Sequence, residues 1–129
     1  MEVFLSLDAS QSLSALQCSP PEKNTDGFLI GHKRGDMFFV ERIQPSQKGF
    51  FSSQKKYFEL KQMLEDKIIG FYSFQINESK LKKILSPLAY GKIFLRLDMD
   101  ESNRLDIRSF VIEHDQDFFF SPVNLECAQ

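Results

Sequence analysis

Two histidines, two cysteines and a scatter of carboxylates are the side chains of this 129-residue chain with the means for acid–base, nucleophilic or metal chemistry. Their spacing speaks against most of it. His32 falls in an expected hairpin connection and His114 in an acidic turn, and neither has a second histidine nearby. Glu113, Asp115 and Asp117 flank His114 with hard oxygens, but the glycine and ligand spacing of a calcium loop are absent. Cys18 precedes a proline-rich loop and Cys127 lies in what reads as a frayed tail. No Cys-x-x-Cys or metal spacing joins them, so two free thiols are the default and a disulfide has no sequence support. Asp98, Asp100 and Glu101 gather at an expected hairpin tip, where solvated turn chemistry accounts for them. Gly27-x-x-x-Gly31 brackets a strand, lacks the order of a dinucleotide or phosphate loop, and reads as a bulge or a close backbone approach.

The elements that must position these groups follow from hydrophobic periodicity. Glu2 to Asp8 alternates as a half-buried strand, and Asp8 or Ser10 is placed to cap a short helix with Leu13 and Leu16 on one face. Gly27–Gly31 is an apolar strand, His32–Asp36 a polar connection, and Met37–Ile43 the return strand ended by Gln44-Pro45. Residues 54–67 carry a helical stripe of Tyr57, Phe58, Leu60, Met63 and Leu64. Ile68-Ile69-Gly70-Phe71-Tyr72 is a core strand, with Gly70 permitting close backbone approach. Asn77 caps a helix carrying Leu81, Ile84, Leu85 and Leu88. Strands follow at Ile93–Met99, Leu105–Glu113 and Phe118–Phe120. The order β-α-β-β-α-β-α-β-β-β predicts a single α+β domain over residues 1–129, a mixed sheet with hairpins and two to three packed helices.

Composition excludes several function classes. The net charge of -2 and the absence of a basic half argue against a groove that neutralises phosphates, so no nucleic-acid partner is expected. No apolar run approaches the ~20 residues of a membrane span, and MEVFLSLDAS lacks the basic region of a signal peptide. A soluble, cytoplasmic protein is the expectation. Fourteen phenylalanines and no tryptophan point to a phenylalanine-rich core. Phe50 and Phe51 fall in a loop, and Phe118, Phe119 and Phe120 put aromatics on both faces of one strand, which is then central or at an interface; core closure is the favoured of the two.

The run from Asn24 through Gly27-Phe-Leu-Ile-Gly31, the strand at Phe38-Phe39-Val40, Pro45, a long helix and then Ile68-Ile69-Gly70-Phe71-Tyr72 resembles the MPN (JAB/JAMM) domain family. The likeness spans residues 2–113 and implies that family's layering, of the cytidine-deaminase kind. It also implies where zinc would sit in an active member. The family's glutamate falls at Asn24, its two histidines at Ser73 and Gln75, its aspartate ligand at Ser86 and its serine at Lys83. Hydrolytic zinc needs about three protein ligands and an open water position, which a neutral serine or glutamine does not supply. The resemblance therefore implies a degenerate, metal-free member without catalytic residues or cofactor, acting as a scaffold that binds another protein, a further MPN-type subunit or a second copy. Candidate contacts are Phe50, Phe51 and Phe118–Phe120. The alternative is a small-molecule binder or non-zinc enzyme using a polar cleft around Tyr72, Ser73 and Gln75.

Overall fold

A computed structural model of the chain describes residues 1–16, 26–45, 67–74, 76, 90–102 and 104–128. These form eight strands and one helix: β1 (Glu2–Leu5), α1 (Leu7–Ala15), β2 (Asp26–Arg34), β3 (Met37–Pro45), β4 (Ile68–Phe74), β5 (Ile93–Met99), β6 (Leu105–Asp115), β7 (Asp117–Pro122) and β8 (Asn124–Cys127). All eight belong to one sheet in the order β7-β6-β5-β4-β2-β3-β1-β8. Hairpins explain the antiparallel neighbours β2–β3, β5–β6 and β6–β7, while β4–β5, β1–β3 and β1–β8 are parallel.

The two ends of this strip are consecutive in the chain. Only Val123 separates β7, which pairs with β6, from β8, which pairs with β1. The sheet therefore curls, bringing its two ends together at Val123 without pairing β7 to β8. Ser109 of β6 pins the junction: its carbonyl accepts from the Val123 N–H at 3.1 Å, and its hydroxyl donates to the Val123 carbonyl at 2.6 Å.

Strand pleating then sorts side chains onto two faces. The inner face holds Val3, Leu5, Leu29, Phe38, Val40, Ile69, Tyr72, Ile93, Leu95, Leu97 and Val111, joined by Ala9 and Leu13 of α1. The outer face holds a second core of Phe28, Ile30, Ile68, Phe71, Ile76, Phe94 and Ile112, edged by Phe110, Phe118 and Phe120. Its centre is a single row across four strands, Phe28–Phe71–Phe94–Phe110, each residue opposite the next in register. The abundance of phenylalanine finds its structural use there.

The expected α+β layering is corrected. Among the described residues strands dominate, and α1 is their one helix. The physical reason lies in the curl: the sheet encloses much of the inner core itself, where a layered fold would cover it with helices. The expected helices over residues 54–67 and from Asn77 lie, Lys67 apart, outside the described residues. Smaller corrections follow from hydrogen bonding. Ser6, not Asp8 or Ser10, caps α1: its Oγ accepts from the Ala9 N–H at 3.0 Å and donates to the Glu41 carbonyl at 2.6 Å. The segment from His32 is strand through Arg34, leaving Gly35-Asp36 as a two-residue hairpin turn. Cys127 sits in β8 opposite Leu5, not in a frayed tail, and carries an exposed free thiol.

Candidate functional site

The polar residues nearest Gly27–Gly31 and Ile68–Tyr72 form a second row beside the phenylalanine row. Register places Asp26 opposite Ser73, Ser73 opposite Arg96, and Arg96 opposite Arg108. Asp26 and Ser73 are 3% and 2% exposed, and the Ser73 hydroxyl donates to Asp26 Oδ1 at 2.5 Å. A hydroxyl that donates a hydrogen bond to a buried carboxylate gives that carboxylate a partner and ties β2 to β4 through side chains as well as backbone. At these exposures the pair is a closed clamp, with its polar atoms turned away from solvent. Further along the row solvent enters. Arg96 Nε bonds Asp98 Oδ2 at 3.1 Å, and Arg108 Nε lies 3.4 Å from Asp106 Oδ2. These along-strand pairs offset the like charges that face each other across β5 and β6, Arg96 to Arg108 and Asp98 to Asp106.

Tyr72 points the other way. Consecutive strand residues face opposite sides, and the Tyr72 ring belongs to the inner core, where it lies across Gly27. A Cβ on Gly27 would sit 2.5 Å from the Tyr72 hydroxyl, so the glycine makes the room the ring occupies. That hydroxyl is buried and has no hydrogen-bond partner among the described residues. Burial, and then the Asp26 carboxylate, push the Tyr72 phenol well above the ordinary tyrosine range. The sign follows: above pH ~10 the unfolded chain releases a proton that the folded chain retains, so stability falls as pH rises from there. Tyr72→Phe is expected to leave stability unchanged or raise it by up to about 1 kcal/mol at pH 7, because it removes an unsatisfied buried hydroxyl. It should also flatten part of the alkaline limb. Urea melts at pH 7 and pH 11 check both, and a loss of more than about 1 kcal/mol at pH 7 would assign the hydroxyl a hydrogen bond.

Of the positions the sequence singled out, Ser73 is thus placed in the closed clamp, while Asn24, Gln75 and Ser86 lie outside the described residues. Tyr72 and Ser73 do not line one cleft, because they occupy opposite faces. The aromatic candidates also divide. Phe118 meets the His114 ring at 4.6 Å and the Tyr90 ring at 6.5 Å; Phe120 meets Phe94 at 5.3 Å and Phe110 at 5.8 Å. Phe119 projects to the opposite side and is 41% exposed. Phe50 and Phe51 lie outside the described residues. At the β5–β6 tip, Asp100 Oδ1 accepts from the N–H groups of Ser102 and Arg104 at 2.8 and 2.9 Å, which is turn chemistry. Sequence reasoning missed Asp26. The available signal was a lone carboxylate at the head of an apolar strand, directly before Gly27.

Neither a family model nor a curated protein sequence matches the chain. Among solved structures it is similar to the solution structure of protein DSY2949 from Desulfitobacterium hafniense, a structural genomics target. That likeness has a TM-score of 0.66 at 14% identity and covers 98% of this chain and 94% of the other. At that identity it speaks for a shared fold alone. Among the described residues, no helix is long and apolar enough to cross a membrane.

Proposed function

We propose that this chain is a non-catalytic binding module that takes up an extended segment of another protein along the outer edge of β7. The observation that carries this reading is the place of Phe119. β7 ends the strand order, so alternate backbone N–H and C=O groups point away from β6, and the exposed ring of Phe119 stands on the sheet face beside them. An edge strand offers main-chain hydrogen bonds to an added strand, and a protruding aromatic ring supplies the apolar anchor that such contacts favour. Phe118 and Phe120 hold β7 to the outer core, so the edge is presented by a fixed strand. A cytoplasmic setting suits this module, since an exposed thiol such as that of Cys127 persists in a reducing compartment.

Phe119→Asp tests the reading. It is expected to leave folding nearly unchanged, within about 0.5 kcal/mol, as an exposed substitution does. It should abolish capture of a partner that the unaltered chain retains. In the complex, hydrogen exchange should slow at the amides of β7. Undiminished capture by the variant, or protection confined to other strands, would refute the edge as the binding surface. Sedimentation of the free chain at high concentration decides whether a second copy is the partner.

A further inference from the structure

Resting on the reading of β7 as a binding edge, we propose that the segment it takes up is β7 of a second copy of this chain. The two strands run antiparallel, with a two-fold axis at Phe119.

The outward groups of β7 follow from its pairing with β6. The Val123 N–H bonds the Ser109 carbonyl at 3.1 Å. Hydrogen-bonded and non-hydrogen-bonded pairs alternate along an antiparallel ladder. Val111–Ser121 and Glu113–Phe119 are therefore the hydrogen-bonded pairs, and Phe118, Phe120 and Pro122 turn their backbone groups outward. Pro122 has no N–H to offer, and the outer side of an edge strand is where a sheet tolerates that loss. Among the described residues no strand covers this side: β8 meets β1 only from Asn124, past the end of β7.

These groups select one symmetric register. An axis at Phe119 sets Phe118 against Phe120 of the second copy, and Phe120 against its Phe118. Both pairs then exchange N–H···O=C bonds in each direction. An axis at Phe120 would set Phe118 against Pro122, which cannot donate. An axis at Phe118 would set Phe120 against Gln116, whose φ of 67° takes it out of extended backbone.

The side chains match in the same register. The two Phe119 residues become the non-hydrogen-bonded pair, where Cα atoms approach to about 4.5 Å and side chains are closest. Each ring, 41% exposed in the single chain, then covers the other. On the opposite face Phe118 of one copy meets Phe120 of the other. Cross-strand aromatic pairs stabilise a ladder, and like charges directly opposite weaken it. Asp117 falls opposite Ser121, so no like charges oppose each other along β7. A foreign strand meets the backbone groups equally well, but this match of aromatics on both faces belongs to β7 against itself.

Guards against pairing sit only at the ends of the strand. Sheet edges are normally protected by charged side chains, prolines or bulges. Asp117 and Pro122 bracket β7, while Phe118, Phe119, Phe120 and Ser121 between them are uncharged and pair with β6 in unbroken register. The ends therefore limit the length of the pairing and leave its centre open. A ladder of six residues a side buries less than the roughly 1,200 Å² of a standard interface, which gives a weak dimer with a Kd on the order of 100 µM.

Sedimentation equilibrium of the intact chain tests this, under reducing conditions so that the exposed Cys127 does not cross-link copies. A monomer–dimer equilibrium is expected. Amide exchange at Phe118 and Phe120 should slow as concentration rises, while Phe119 and Ser121, already bonded to β6, should not change. Phe119→Asp and Phe119→Lys should each weaken the dimer by about 100-fold or more, because each sets two like charges together on the axis. An equal mixture of the two variants should associate at least about tenfold more tightly than either alone. That rescue requires position 119 to meet itself. A chain that stays monomeric at about 1 mM overturns the second copy as partner, and leaves the edge itself to be decided by the Phe119→Asp capture experiment. A dimer that Phe119→Asp leaves intact, or a mixture no tighter than the single variants, overturns the axis at Phe119.

Discussion

Phe94→Ala is expected to destabilise the fold by about 4 kcal/mol, the upper part of the range for deleting a buried phenyl ring. For a domain of this size that is a fall in Tm of about 15 °C. Phe94 is fully buried at the middle of the four-strand phenylalanine row, opposite both Phe71 and Phe110, and its ring meets Phe120 at 5.3 Å. Three strands and β7 therefore lose packing at once, and β7 depends on this contact to stay seated at the end of the sheet. Phe119→Ala, in the same aromatic cluster by sequence but exposed, is expected to cost under about 0.5 kcal/mol. Chemical denaturation of the two variants checks the contrast. Leucine at Phe94 and Phe120, singly and together, should give a coupling of about 1 kcal/mol. Equal costs for Phe94→Ala and Phe119→Ala would mean that the phenylalanine row does not organise the outer core.

Gly31→Ala is the second large effect, at about 3 kcal/mol or a Tm lower by about 10 °C. A methyl group there would overlap the carbonyl oxygen of Phe39, lie 2.9 Å from its carbonyl carbon, and lie 3.2 Å from the Glu41 nitrogen. The obstructing atoms are backbone, so no rotamer change relieves the contact. The β2–β3 register shifts between Ile30 and Gly31, which brings the two backbones together at this point. Gly70→Ala meets the same kind of obstacle at the Ile93 carbonyl and should behave alike. The control is Gly91→Ala. At φ 77° with open space around it, this substitution carries only the conformational cost of a side chain in the left-handed region, about 1 kcal/mol. Thermal melts rank the three, and a Gly31→Ala protein as stable as the parent would refute the steric account.

β5 was legible residue for residue, because alternation is a local signal that survives any tertiary arrangement; β4 was legible from Ile68 to Tyr72, but the strand runs on through Ser73 and Phe74, which pair with β5 where the chain was expected to leave the sheet. The close approach at Gly27, Gly31 and Gly70 was legible for the same reason: a glycine inside an apolar strand has few other uses. The cap of α1 was misplaced by two residues or more, since Ser6 competes with Asp8 and Ser10 until the Glu41 carbonyl is present to receive its hydroxyl. β8 was not legible at all. Asn-Leu-Glu-Cys is short and half polar, and it becomes a strand only because β1 lies beside it.

Hydrophobic alternation along the chain marked the strands from β1 to β7 in outline, and the phenylalanine count marked an aromatic core. Folding brought Ser73 to Asp26, 47 residues away, and aligned four phenylalanines into one row. The physical reason is that side-chain periodicity is written along the chain, whereas register between strands is set by pairing distant segments. That pairing also joined the two ends of the sheet across Val123 and turned an expected layered fold into a curled one.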